Sequence, residues 1–362
     1  MALQFSKESS VILIITKLLT DTTVVSVREL LEAQGQEVVV LSQEVMEQNA
    51  SFRINQSADG HAQAILRLGE REINFATDVS AAWIWRSWRP EPLLERYQQL
   101  AKQTDEWNFF SSEWGALYKG IVLALKCHNI FCVNPPPFHE AFEEKCGQLW
   151  TAADIGFKIP DTLFTAHLPY AQDFYEQHAD SIIYKPFRPF FKMIPPKDQE
   201  PSKIAKLLTN RVSKQHFSNA RNAVPTPGIF QPYVEKAFEL RIVVVGREIF
   251  SCAIHSQSSE RAREDWRRYD IPNTPHQIYA LPDDLAAKVR TYMDRLQLVF
   301  GSIDMIVTPE GEHIFLEINP NGQFDWIDRL TGMPIYEHFA AMLQAASIDY
   351  PIPLAQEAVN AQ

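Results

Sequence analysis

The chain has no pair of cysteines spaced as C-x-x-C; its four, Cys127, Cys132, Cys146 and Cys252, are scattered along 362 residues. That usage suits a reducing compartment, with the thiols expected to be buried. Excess positive charge is also missing. A net charge of -11 and a pI near 5.4 exclude a surface devoted to nucleic acid or anionic membrane, since both partners reward clustered Lys and Arg. The apolar run near the N-terminus, "VILIIT", stops at Lys17. It is too short for a membrane span or the apolar part of a signal peptide, so it reads as a buried strand of a cytoplasmic protein. No internal repeat or low-complexity tract is visible. What remains, 46% apolar and 22% charged residues, is the composition of a multidomain soluble protein with one large core or a few smaller ones.

The stretch "SVILIITKLLTDTTVVSVRELLEAQGQEVVVLS" reads strand, loop, helix, strand. Thr22 or Thr23 can cap a helix that places Val24, Val27, Leu30 and Leu31 on one face, and Gly35 ends it. "HAQAILRLGEREINF" reads as a hairpin around Gly69-Glu70, "SAAWIWRSWRPEP" as a strand entering a Pro-rich turn, and residues 92–128 as helix-rich. Three consecutive prolines in "CVNPPPFHEAF" mark a domain boundary. A helix from about Phe138 to Ile155 follows, then strand-like "GFKIPDTLFT" and "SIIYKPF", and a polar, poorly periodic run from Thr209 to Gly228 that is a mobile-loop candidate. In the last third, "FELRIVVVG" and "REIFSCAIHS" pair over Gly246-Arg247. A helix around Asp283–Leu298 precedes a second hairpin, "GSIDMIVTPEGEHIFLEINP".

That second hairpin carries the chemistry. A two-residue turn at Glu310-Gly311 sets Asp304 directly opposite Glu317, with Asn319 on the same face and Ile303, Met305, Val307, Ile314, Leu316 and Ile318 on the core face. Opposed like charges are destabilising unless something positive lies between them. Asp, Glu and Asn offer hard oxygen ligands suited to Mg²⁺ or Mn²⁺, with room left for waters and phosphates. The plainer alternative is a pair of carboxylates on the wet side of an antiparallel sheet.

Asp304 followed by Glu317-x-Asn319 resembles the metal-binding strands of the ATP-grasp ligases. "LEINPNGQFDWID" is more narrowly similar to the ATP-grasp enzymes that macrocyclise ribosomal peptides, the microviridin-type or graspetide ligases. The resemblance runs over nearly the whole chain, through "WIWRSWRP", "NPPPFHEAFEEKCGQLWTAADIGFKIPDTLFT", "IIYKP", "QPYVEKAFELRIVVVG" and "EDWRRYD".

The resemblance implies an α/β (α+β) ATP-grasp fold. Its units would be an N-terminal βαβ pre-ATP-grasp domain over residues 1–133, a central subdomain over 134–232 and a C-terminal subdomain over 233–362. Lys145 and Lys185 match the lysines that contact nucleotide phosphates, although each alone would pass for a solvated surface lysine. "QPYV", with Gln231, Tyr233 and Val234, matches the segment whose backbone reads adenine, with Glu235 or Lys236 near the ribose. Arg241 and Arg267 match the arginines on the transferred phosphoryl group. The plain readings are a cross-strand salt bridge for Arg241, which shares a strand face with Glu239, and a mixed-charge face for the Arg267 segment. For His255, a structural role competes with that of a general base. A glycine-rich phosphate lid is missing after Lys185, so either residues 209–228 supply the lid or it is short.

The implied reaction is ATP-dependent ligation with Mg²⁺ or Mn²⁺. A peptide Asp or Glu side chain attacks the γ-phosphate and releases ADP, and the acyl phosphate is captured by a Ser or Thr hydroxyl (ester) or a Lys amine (amide) with loss of phosphate. The implied partner is a ribosomal precursor peptide with a leader segment, and a homodimer is possible. The competing readings are another ATP-grasp carboxylate–amine ligase, acting on amino acids or a protein terminus, and a nucleotide-binding regulator without ligase activity.

Overall fold

A computed structural model describes residues 10–48, 50–60, 62–86, 95–136, 144–188, 190–194, 203–220, 225–260, 262–263, 266 and 271–352. The N-terminal part opens with the expected βαβ unit. β1 (Val11–Thr16) is buried at every position, as an apolar strand covered on both faces should be. The helix Thr22–Ala33 turns Val24, Val27 and Leu31 inward, and β2 (Glu37–Ser42) then pairs with β1 in parallel. Asp21, not Thr22 or Thr23, is the cap. Its backbone is extended and its carboxylate accepts from the Thr23 N–H at 3.1 Å, whereas Thr23 is buried within the helix. Such a cap contributes about 1 kcal/mol.

β3 (Ala50–Gln56), β4 (Ala62–Leu68) and β5 (Arg71–Asn74) form an antiparallel sheet, with β4 and β5 joined over Gly69-Glu70 as anticipated. β6 (Val79–Trp85) returns beside β1, and β7 (Phe131–Val133) beside β6, giving the parallel order β2-β1-β6-β7. The helix Thr104–Cys127 fills most of the helix-rich stretch. Two of the thiols are buried as expected, and desolvation pushes Cys132 up to about 12 and Cys252 up to about 11. The expectation fails for Cys127, which is exposed, and Cys146, which is half-buried. Cys127 ends its helix and Cys146 sits in the first turn of the next, where less of the structure covers them.

The next helix runs Lys145–Ile155, and the remainder of the segment anticipated from Phe138 lies mostly outside the described residues. β8 (Leu163–Thr165), β9 (Ile182–Lys185), β12 (Asn210–Arg211) and β13 (Gly228–Pro232) make a four-stranded antiparallel sheet in the order β12-β9-β13-β8. Between them in sequence, β10 (Phe190–Ile194) and β11 (Lys203–Leu207) form a separate hairpin just after Lys185. The run from Thr209 to Gly228 is not simply a loop. It contains β12 and a helix, Lys214–Ala220, whose Phe217 packs on Tyr175 at 5.3 Å. One aromatic anchor suffices to seat so short a helix, and a periodicity search misses it.

β14 (Phe238–Val245), β15 (Glu248–Ile254), β16 (His276–Ile278), β17 (Phe300–Val307) and β18 (His313–Asn319) form the third large sheet, ordered β16-β15-β14-β17-β18. One face, with Leu240, Ile242, Val244, Ile303 and Met305, packs on the helices Lys145–Ile155 and Asp283–Leu296. The other face divides along its length. Val243, Val245 and Phe300 join Trp83 and Trp85 of β6 and Phe339 of the helix Ile335–Ala345 in a core shared with the N-terminal sheet. Nearer the other end, Glu239, Arg241 and Asp304 replace the apolar residues. This strip forms one wall of a cleft. Among the described residues, no helix is long and apolar enough to cross a membrane.

Candidate active site

Asp304 stands opposite Glu317, Ile303 opposite Ile318 and Ser302 opposite Asn319, as the sequence predicts. Nearer the turn the pairs are Met305–Phe315, Ile306–Ile314 and Val307–His313, one residue out of step. The turn is wider than two residues. Thr308 exchanges backbone hydrogen bonds with Gly311 and Glu312, and Gly311 takes the positive φ of 83° that suits glycine. A bulge at Leu316 absorbs the extra residue and restores the register at Glu317. Two β18 residues then oppose one on β17, and the side-chain alternation changes phase. Leu316 therefore lines the cleft instead of the core. Phe315 enters the core in place of Leu316, packing on Phe157 at 5.4 Å and Tyr292 at 5.1 Å, while Ile314 stays buried.

Each carboxylate has a protein cation. Arg241 is the cross-strand neighbour of Asp304 on β14 and donates to it from Nη1 at 3.0 Å. Its Nη2 donates to the Gln323 carbonyl at 3.2 Å, whereas its buried Nε has no hydrogen-bond partner among the described residues. Lys145, the first residue of its helix, donates to Glu317. The Pro320-Asn321-Gly322 turn exists to let this packing close. A Cβ on Gly322 would lie 2.4 Å from Ser302 Cβ and 2.6 Å from Arg241 Nη2. The acidic tail beyond it serves the fold: Asp325 accepts from the Tyr336 hydroxyl and pairs with Arg329, and Asp328 accepts from the Tyr336 N–H at 3.1 Å. Desolvation raises the Asp328 carboxyl to about 6.

The facing wall comes from the β12-β9-β13-β8 sheet. Lys185, Gln231, Tyr233 and Val234 line the cleft with Asp304 and Glu317, so the predicted phosphate lysine and most of the predicted adenine segment meet the predicted metal pair. Gln231 donates from Nε2 to Thr162 Oγ1 at 3.0 Å, and the Tyr233 N–H goes to the Ser181 carbonyl at 2.9 Å. Lys236 also lines the cleft, in a buried ion pair with Glu239 at 2.7 Å. Glu239 therefore pairs with Lys236, and Arg241 with Asp304. Glu235 is exposed and does not line the cleft. Asn319 is exposed too; its Oδ1 accepts from the Asn321 N–H at 2.9 Å. Arg267 lies outside the described residues. His255 contacts Gln277 at 3.3 Å and does not line the cleft.

Two cleft residues escape sequence reasoning. Arg211 sits over the Tyr233 ring, 3.5 Å from its centroid, and Trp266 lies 5.9 Å from the Arg241 guanidinium and 4.9 Å from Trp326. Arg211 falls in the run read as a loop. Trp266 stands in "EDWRRYD", where the arginines drew the attention.

The donors fit a hard divalent cation. Among the described residues no three His, Cys, Asp or Glu side chains cluster; the donors at this point of the cleft are the two carboxylates Asp304 and Glu317. With Asp304 and Glu317 each engaged by a protein cation, a metal would bind their remaining oxygen positions, with water and phosphate oxygens completing its shell.

No protein-family model and no curated protein matches the chain. Among solved structures its fold is that of the ATP-grasp ligases, and the chain is an ATP-grasp ligase, an ADP-forming enzyme. Within that class it is similar to a Chryseobacterium gregarium RiPP-associated ATP-grasp ligase, solved with ADP and a leader and core peptide. The TM-score is 0.78 and the identity 27%, over 93% of this chain and 97% of that one. It is also similar to the macrocyclase MdnC of Microcystis aeruginosa MRC, solved with the precursor peptide MdnA, with a TM-score of 0.73 and 26% identity over 93% of this chain and 100% of that one. The ligase PsnB, solved with a precursor variant, Mg and ADP, shares the fold at a TM-score of 0.70 and 16% identity, over 94% and 99% of the two chains.

Proposed function

We propose that this chain is a peptide macrocyclase that uses ATP and Mg²⁺ to link Asp or Glu side chains of a leader-bearing ribosomal precursor to Ser or Thr hydroxyls, as esters, or to Lys amines, as amides. The observation that carries the reading is the opposition of Asp304 and Glu317, each with its own cation, across the cleft from Lys185. The similarity to ligases solved with precursor peptides supports the choice of substrate. The proposed units are residues 1–133, 134–232 and 233–362.

Lys145 and Lys185 hold the phosphates of ATP. With the Gln231 side chain and the Tyr233 N–H engaged in the scaffold, the proposed adenine recognition falls to other backbone groups of the segment through Val234, and Lys236 rather than Glu235 is the proposed ribose contact. Asp304, Glu317 and Asn319 would hold the metal, which would neutralise phosphate charge. Arg241, with a buried N–H to offer, orients the γ-phosphoryl group toward the attacking peptide carboxylate, and Arg267 is its proposed companion. Closure excludes water, because the acyl phosphate would otherwise hydrolyse before the hydroxyl or amine reaches it.

The test is mass spectrometry and ADP release with the purified chain, ATP, Mg²⁺ and a leader-bearing precursor rich in Ser, Thr, Lys, Asp and Glu. One water lost per ADP formed, with one carboxyl per bond becoming resistant to methyl esterification, is the expected result. A product that gains the mass of an amino acid would replace this reading with the small-ligase one, and nucleotide binding without turnover would replace it with the regulator.

A further inference from the structure

Two buried amides grip the carboxylate hairpin from outside its own sheet. Asn134, just beyond β7 and 1% exposed, uses both ends of its side chain. Its Oδ1 accepts from the Val299 and Phe300 N–H groups, each at 2.9 Å, and its Nδ2 donates to the carbonyls of Phe300 at 2.9 Å and Pro320 at 2.8 Å. Phe300 begins β17 and Pro320 follows β18, so this side chain closes the open end of the hairpin. Gln148 lies one helical turn after Lys145 and is 2% exposed. Its Oε1 accepts from the Ile318 N–H and its Nε2 donates to the Ile318 carbonyl, both at 3.0 Å. The Gln148 backbone carbonyl in turn accepts from the Tyr292 hydroxyl at 3.1 Å.

β18 is the last strand of its sheet, so among the described residues the outward backbone groups of Ile318 have no neighbouring strand to pair with. Gln148 supplies that missing rung. The bulge gives the rung its significance. Because the pairs near the turn are one residue out of step with Asp304–Glu317, the turn does not set the register at the site. A slip of one residue would carry Glu317 to the core face and Ile318 into the cleft. Gln148 bonds the residue directly after Glu317, and Asn134 bonds the residue directly after Asn319.

We infer that Gln148 and Asn134 are positioning residues that hold Glu317 opposite Asp304 in the register that makes the metal site. The inference rests on the reading of that pair as a metal site. An amide fits, because it presents a donor and an acceptor side by side and so satisfies both backbone groups of Ile318.

Two measurements test it. In amide hydrogen exchange on the full chain, the Ile318 N–H should be protected although it lies on a sheet edge, and Gln148→Met should speed its exchange by about tenfold relative to amides of β14. In electron paramagnetic resonance of Mn²⁺ with ADP, Gln148→Met should weaken Mn²⁺ binding by about 10- to 100-fold, while ADP binding without metal stays as in the native chain. Gln148→Glu, which keeps the acceptor and loses the donor, serves where Gln148→Met does not fold. A fast-exchanging Ile318 amide in the native chain overturns the clamp. Native Mn²⁺ affinity in the variants overturns the positioning role. Failure of the native chain itself to bind Mn²⁺ with ADP, with Ile318 protected, overturns the metal reading instead.

Discussion

Glu317 faces Asp304 although the next pair toward the turn, Met305 and Phe315, is offset by one residue from their register. The two carboxylates are thus brought together by a bulge, and each is paired with its own cation, Arg241 or Lys145.

Exchange of either carboxylate for its amide should abolish ATP turnover, but the two variants should differ in stability. The Lys145–Glu317 pair is partly exposed, so Glu317→Gln should cost at most about 1 kcal/mol. Asp304→Asn leaves the buried Arg241 guanidinium with a neutral acceptor and should cost on the order of 1–3 kcal/mol. Steady-state ADP release and thermal melts of both variants decide the matter. Retention of most of the turnover by either would remove that residue from the metal set.

Lys185→Ala should lose most of the thermal stabilisation given by ATP·Mg²⁺, which for a ligand at a hundred times its Kd is about 2.7 kcal/mol. The melting temperature without nucleotide should change little. If the ligand-induced shift is unaltered, Lys185 does not contact the nucleotide.

Gly322→Ala places a methyl group against Ser302 and Arg241. Overpacking of this kind costs roughly 1–3 kcal/mol. Here the displaced group is the guanidinium that serves the site, so kcat should fall more steeply than stability. A variant that melts early but turns over normally when folded would mean that Arg241 tolerates the shift.

The Asp328 carboxyl, raised to about 6 from an ordinary value of 3.8 by burial, binds a proton in the folded state where the unfolded chain does not. Stability should therefore fall as pH rises from about 4 to 6 and stay lower above that window. Asp328→Asn should remove this slope and raise the melting temperature at pH 7 more than at pH 4. An equal change at both pH values would mean that the group titrates normally.

Alternation and turn residues alone made the βαβ opening and both C-terminal hairpins legible, because strand period and glycine placement are local properties. The Asp304–Glu317 pairing expected from a two-residue turn holds only because the bulge at Leu316 offsets the wider turn. The order of weak motifs made the class of protein legible as well. Tertiary structure alone decided the rest. It moved Leu316 into the cleft and Phe315 into the core, since a bulge is set by what the strand packs against. It brought Arg211 and Trp266 into the cleft from segments with no periodic pattern. It also put the amides of Asn134 and Gln148 on Phe300, Pro320 and Ile318, more than 160 residues away in sequence. A buried amide shows its role only through the backbone groups it meets, and which groups those are is fixed when the sheets and helices pack.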